Sequence, residues 1–442
     1  MTDPTFDPKR RRSILGLVFL TVFLDMVGFS IIFPLFPKML EHYVANDGPD
    51  SMVGQLDTWL RGLSIGGEGE VNQIAVYAFF GGILGSIYSL LQFVFAPFWG
   101  GFSDRVGRKP VLRLTLAGTA LSYVLWIYAG PFWVLVLARM MGGIMAGNIS
   151  TASAVVADIC PGPERAKGMG MLGAGIGLGF VMGPAIGGMT SGWNLLESHP
   201  EWAKFGINPF SGCAAIALGL AVLNLVLVMR KFPETRPAKI TGSERTRMPF
   251  RSLNEFASPA LKRVNFAYFT YFLAFAAMEF TLSFLAVERL QYEPHDIAWM
   301  FVAVGLTIAV VQGGFVRRLA PKLGERKLGL FGMALTVPGF LLVGFAHSSA
   351  MMYAGLFPLA AGSACVMPSL SALVSHLAPE DRQGLALGIF RSLGSISRAI
   401  GPLLGGLLFC GFGSSSPYVT AAVVMVLPLM LLAGVRGADR AA

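Results

Sequence analysis

Four charged side chains stand in stretches that otherwise admit almost nothing polar. Asp25 lies in LGLVFLTVFLDMVGFSIIFPLF, Arg139 in VLVLARMMGG, Glu279 in FLAFAAMEFTLSF and Arg398 in SLGSISRAIGPLLGG. A charge in the middle of a bilayer costs roughly 2.5–3.5 kcal/mol on insertion scales, so it should face a partner or a wet cavity. Counted at ~1.5 Å per residue, Asp25 lies ~18 Å along its run, and Arg139, on a run of opposite direction, lies ~18 Å from the same side. Glu279 and Arg398 match in the same way, at ~22 and ~21 Å. The chemistry this allows is proton handling, because the proton affinity of a carboxylate follows its solvent access and its distance from an arginine. Asp25 with Arg139 is therefore expected to form a switchable ion pair, or else a static structural one. Glu279 is a second proton site or the acid that receives a cationic substrate. Arg398 completes that second pair or pins a kinked helix, and the shallower Arg391 is structural or an anion contact.

Such residues need bilayer-crossing helices to position them, and the composition supplies these. The chain has 442 residues, 54% hydrophobic and 13% charged, with a formal net charge of +9 and a mean hydropathy of +0.63. Ordinary soluble domains carry roughly 25% charged residues, and disorder requires low hydrophobicity. Both classes are excluded. Apolar windows of about 20 residues give twelve spans, the first over 13–36 and the fourth over 131–156. The start MTDPTFDPKRRRS offers no small-residue cleavage site, so the first span is read as retained. The outer loops hold only Lys38, Arg61, Lys204 and Arg289, and Arg113, Arg139, Arg391 and Arg398 lie within spans. All other basic residues fall in the alternate set of loops and termini, which places both termini in the cytoplasm by the positive-inside rule. They form no continuous basic groove, so no nucleic-acid partner is expected. Cys160, Cys213, Cys365 and Cys410 show no metal-binding or disulfide spacing and read as packing residues.

Two loops stand out: an acidic, Gly-rich outer loop over 37–73 with an amphipathic stretch LDTWLRGL, and a basic inner segment over 230–263. The latter divides the chain into a six-span bundle over 1–229 and another over 264–442. The halves read as repeats. Gly107 in GGFSDRVGRKP and Gly324 in GFVRRLAPKLGERK are 217 residues apart, and Gly183 in GPAIGG and Gly401 in GPLLGG are 218 apart. In the first of these loops, the glycines Gly100 and Gly107 permit a tight turn. The charges Asp104, Arg105 and Arg108, with Asp158 at a nearby helix end, suit a latch that holds helix ends in one conformation. In the fifth span, Gly179, Gly183, Gly187 and Gly188 let another helix approach closely, and Pro184 should kink it. Tyr88, Gln92, Gln312 and Phe275 are candidate cavity residues for a bulky amphipathic solute.

The GGFSDRVGRKP loop between spans 2 and 3 resembles the signature loop of the major facilitator superfamily. GLGFVMGPAIGG resembles the fifth-span motif of its drug/proton antiporters. LDMVGFSIIFPLFP and ARMMGGIMAGNISTASAVVADI are similar to spans 1 and 4 of the tetracycline-resistance and multidrug branch, and the likeness runs over essentially the whole chain. It implies an all-α fold of twelve transmembrane helices in two pseudo-symmetric six-helix bundles, and a fifth-span kink that helps close the path against leak. The chain departs from the tetracycline exporters in having no histidine over 297–316 and no acidic residue over 328–346, so the resemblance does not extend to tetracycline as substrate.

No enzymatic constellation is recognised: the sequence contains no GxxxxGK[ST] and no HExxH. The expectation is a non-enzymatic secondary transporter without cofactor or ATP, coupled to protons. By the resemblance it exports small amphipathic compounds as a monomer in the cell inner membrane. A nutrient or lipid-like solute carrier, or a non-transporting receptor or scaffold, are the alternatives.

Overall fold

The computed structural model describes residues 7–48, 50–62, 73–160, 162–235, 258–379 and 383–435. Among the described residues there is no β-strand. Twelve helical segments are long and apolar enough to cross a membrane: span 1 Pro8–Asn46, span 2 Gln73–Val106, span 3 Arg108–Ile127, span 4 Phe132–Ile159, span 5 Gly168–Met189, span 6 Ser211–Lys231, span 7 Pro259–Leu290, span 8 Pro294–Ala320, span 9 Glu325–Gly344, span 10 Ser349–Leu377, span 11 Ala386–Phe412 and span 12 Ser416–Ala433. Helix is the form in which such apolar segments satisfy their own backbone in lipid. Their ends carry ordinary stop and start chemistry. Ser258 and Ser348 accept from backbone N–H groups at the starts of spans 7 and 10, and Glu293 with Asp296 makes a capping box at span 8.

Two boundaries differ from the sequence expectation. Span 1 continues past residue 36 through a 3-10 turn at Phe33–Leu35 into a helix over Phe36–Asn46, so the outer loop begins later than residue 37. Within that loop Met52–Gly62 is helical and includes most of the LDTWLRGL stretch. Most of the basic inner segment, residues 236–257, lies outside the described residues.

The chain packs as two compact units, one of Met1–Leu35 with Ile87–Thr246, the other of Phe36–Ser86 with Arg247–Ala442. In the first, a stripe on span 1 (Ile14, Val18, Val22, Met26, Phe29) packs on Leu112 and Leu116 of span 3, Val155 and Val156 of span 4, Leu172 of span 5 and Val228 of span 6. The near-regular spacing of four along span 1 is that of one helical face. Gly179, Gly183 and Gly187 bring span 5 against the backbone of span 1. A Cβ on Gly179 would come within 2.8 Å of Phe23 O, and one on Gly183 within 2.6 Å of Val27 O. Span 5 stays helical across Pro184, and Pro184 and Gly188 are both buried.

In the second unit, span 11 approaches span 7 in the same way, with Gly401 and Gly405 lying against Ala276 and Ala277. Gly406 lies against Ala78 and Phe79 in the first half of span 2. Spans 9 and 10 meet glycine to glycine at Gly332 and Gly362. Large apolar side chains such as Leu306, Phe315, Phe357, Phe412 and Met430 point outward, the surface that lipid covers.

Candidate functional site

The turn between spans 2 and 3 is a closed network of charges. Gly107 adopts φ 112°, a conformation glycine takes at low cost, and Gly324 takes φ 77° at the matching turn between spans 8 and 9. Arg108 is buried. Its Nε and Nη2 donate to Asp158 at 2.8 and 3.2 Å, and its Nη1 donates to Asp104 Oδ1 at 2.6 Å and Ser103 Oγ at 2.7 Å. Glu234, just beyond span 6, accepts from the Arg108 and Lys109 backbone N–H groups at 2.8 and 3.1 Å. It thereby caps span 3 at the end where the helix dipole favours an anion. Asp104, Arg108 and Asp158 are thus brought together as expected from their types. Gly100 contributes its carbonyl, which accepts from Ser103 Oγ, while Arg105 points outward and is exposed. Ser103 and Glu234 were not singled out from the sequence. Ser103 sits inside the motif and could have been, whereas Glu234 lies 126 residues from its partner with no spacing to mark it.

In the second unit the copy of this turn has Pro321 in the place of Asp104 and Glu325 in the place of Arg108. Arg326 instead donates to the terminal carbonyls of span 12, at Leu432 and Ala433, and Arg263 donates to Gly434 O at 2.6 Å. A cation at a helix C-terminus is the arrangement the dipole favours.

Asp25 is buried on span 1, and its expected partner is not the one it bonds. Asn148 Nδ2 donates to Asp25 Oδ1 at 2.9 Å, and Asn148 Oδ1 accepts from Thr115 at 2.5 Å. Asp25 Oδ2 has no hydrogen-bond partner in the protein. Arg139 forms no ion pair with it. The guanidinium sits over the Tyr88 ring at 4.6 Å and the Phe29 ring at 5.3 Å, a cation–π cage from spans 2 and 1. Tyr123 is within electrostatic reach of both Asp25 and Arg139. Matching depth placed the two charges on one level, but depth leaves the direction of each side chain around its helix unset.

Asn148 reaches Asp25 because span 4 is broken. Phe132–Met145 ends at Ala146, and a second helix runs over Asn148–Ile159. Trp99 Nε1 donates to the freed Ile144 carbonyl at 2.6 Å, and a Cβ on Gly147 would strike the Trp99 ring. Irregular backbone at membrane depth persists only where protein groups satisfy it.

Glu279 lies on span 7 within electrostatic reach of Arg398 on span 11. The Arg398 guanidinium sits over Phe272 at 5.5 Å. Tyr268, stacked on Phe390 with centroids 3.7 Å apart, is in reach of both Arg398 and Arg391. Of the four cavity candidates, Tyr88 belongs to the Arg139 cage, and Phe275 stacks beside Tyr271 and Phe272. Gln92 is half-buried on span 2, and Gln312 is exposed in a π-helical turn over Val311–Val316. Among the described residues no cluster of His, Cys, Asp and Glu is placed to hold a metal.

Twelve apolar helices in two compact units, with charges held at mid-span by partners on neighbouring helices, define a polytopic membrane carrier. A profile of the Major Facilitator Superfamily matches residues 18–309 and 264–441. The chain is 32% identical over 453 residues to the mouse major facilitator superfamily domain-containing protein 10, covering 96% of this chain and 93% of that protein. It is 30% identical over 395 residues to the class G tetracycline resistance protein of Vibrio anguillarum, covering 89% of each. The crystal structure of the human organic anion transporter MFSD10 (TETRAN) matches with a TM-score of 0.75 at 31% identity, over 97% of this chain and 100% of that one. The chain belongs to the Major Facilitator Superfamily: it is a multi-pass membrane transporter, of a family and fold that are not enzymatic.

Proposed function

We propose that the protein is a proton-coupled antiporter that exports small amphipathic organic compounds by alternating access, with Asp25 as the proton-carrying carboxylate. The observation behind this reading is the setting of that carboxylate. It is buried at mid-span, with one oxygen fixed by Asn148, the other unengaged, and no arginine bonded to it. A carboxylate held this way exchanges a proton without breaking the bond that positions it. Glu279, in the field of Arg398, is the second acid of the cycle. Arg139 does not touch Asp25 and communicates with it through Tyr123, which is within reach of both. The Asp104–Arg108–Asp158 network is the latch on the cytoplasmic side, and the glycine face of span 5 keeps the path shut against leak. The proton gradient supplies the energy and no ATP is used. The protein acts as a monomer in the cell inner membrane, with both termini cytoplasmic.

A second reading has a specific observation in its favour. Arg391 and Arg398 lie on one helix around a shared tyrosine, a setting suited to an organic anion, and one relative with a solved structure is an organic anion transporter. Both readings are tested together. Protein is reconstituted in liposomes loaded with a pH dye under an inside-acid gradient, and cationic, zwitterionic and anionic amphiphiles are added. Compound-driven proton efflux in wild type that disappears in Asp25→Asn supports antiport, and the charge of the active compounds chooses between the readings. Efflux that survives Asp25→Asn refutes the role given to that residue.

A further inference from the structure

Three residues that carry four polar atoms no protein group satisfies line one small cavity in the first unit. The cavity lies among spans 2, 3 and 4, lined by Tyr88, Thr119, Ser122, Tyr123, Trp126 and Arg139, with a volume of ≈ 10 Å³. Thr119 Oγ1, Trp126 Nε1, Arg139 Nε and Arg139 Nη2 are buried without a hydrogen-bond partner. Their residues are only 5%, 3% and 6% exposed. An indole N–H and a guanidinium N–H donate and never accept, and the threonine hydroxyl turns to suit. Three of the four atoms are therefore obligate donors, and one of the groups that carry them holds a full positive charge. The Tyr88 and Phe29 rings attract that charge through their faces but offer no lone pair to Nε and Nη2. The buried carboxylate of span 1, Asp25, bonds Asn148 and not Arg139.

What this set recognises is an acceptor, and the charge favours an anion over water. Size then decides the class. A space of this volume is on the scale of one water or one monatomic ion, too little for a phosphate or an organic substrate. We propose that the cavity binds a single monatomic anion, chloride under cellular conditions, held by the Arg139, Trp126 and Thr119 donors. The site shares Arg139 with the surroundings of Asp25, but its anion binding does not depend on what the protein transports.

The experiment uses bromide, which quenches tryptophan. Purified full-length protein in lipid nanodiscs is titrated with sodium bromide replacing sodium gluconate at constant ionic strength, and fluorescence and Tm are followed. The proposal expects saturable quenching in wild type with a matching rise in Tm. Trp126→Phe should remove the saturable part of the quenching. Thr119→Val, which deletes one donor at nearly constant volume, should weaken bromide about tenfold in both readouts. Quenching that rises linearly with bromide, is equal in wild type and Trp126→Phe, and brings no rise in Tm overturns the proposal and leaves the cavity to water. If Trp126→Phe fails to fold, the shape of the wild-type curve and its response to Thr119→Val decide the matter alone.

Discussion

Neutralising Asp158 should destabilise the protein several times more than neutralising Asp104, although both carboxylates bond the same guanidinium. The difference follows from burial. The Arg108 side chain is 6% exposed and Asp158 10%, while Asp104 is 47% exposed. Removing one partner of a buried, hydrogen-bonded pair costs about 3–5 kcal/mol, because the other charge is left without compensation. In Asp158→Asn part of that cost is recovered. The asparagine keeps one acceptor oxygen and Arg108 keeps its bonds to Asp104 and Ser103, so the net loss should be about 2–3 kcal/mol. Asp104 is solvated even while bonded, and Asp104→Asn should cost about 0–1 kcal/mol. In the double variant the Arg108 guanidinium has no carboxylate bonded to it, so the combined loss should exceed the sum of the single ones by roughly 1 kcal/mol. Equilibrium unfolding of the four proteins in mixed detergent micelles measures all three quantities. Equal losses from the two single variants, or a strictly additive double variant, would refute the assignment of Asp158 as the main anchor.

Two further outcomes are expected. Gly183→Ala puts a methyl within 2.6 Å of Val27 O and 3.1 Å of Ile31 N. It should cost about 1–3 kcal/mol by overpacking, whereas Gly177→Ala in the same helix meets nothing within 4 Å and should be neutral or slightly stabilising; thermal melts of the pair check this. Asn148→Ala removes the bond that positions Asp25 and should lower substrate-driven proton movement in liposomes about tenfold, while membrane insertion measured by yield stays close to wild type.

The parts of this architecture that were legible in the sequence are those where charge interrupts hydrophobicity. Twelve apolar runs, an Asp-Arg-x-Gly-Arg turn and four embedded charges each contrast with their surroundings, and the turn did assemble Asp104, Arg108 and Asp158. What stayed hidden depends on direction or on distant partners. Helical rise set Asp25 and Arg139 at one depth, but the rotation of each helix turned one toward Asn148 and the other toward Tyr88. The break in span 4 falls in MAGNIS, where Gly147 is one glycine among many. Only the Trp99 ring against it, from another helix, shows why that glycine ends a helix and its neighbours do not. Span 1 outruns its apolar window because Phe36–Asn46, half polar, is buried on one side through Phe36, Met39, Leu40 and Tyr43, and a hydropathy window does not see a face.

The Trp99 bond to Ile144 also bears on how the chain is made. Span 4 enters the bilayer with an interruption that exposes carbonyls to hydrocarbon, a costly intermediate for a helix inserting alone. The indole that covers the exposed carbonyl is 45 residues nearer the N-terminus, so during synthesis it is already in the membrane when the break arrives. The order of the chain from N to C thus matches the order in which the broken helix needs its support. A circular permutant that delivered span 4 before span 2 would ask the insertion machinery to hold an unsupported break until its plug was translated.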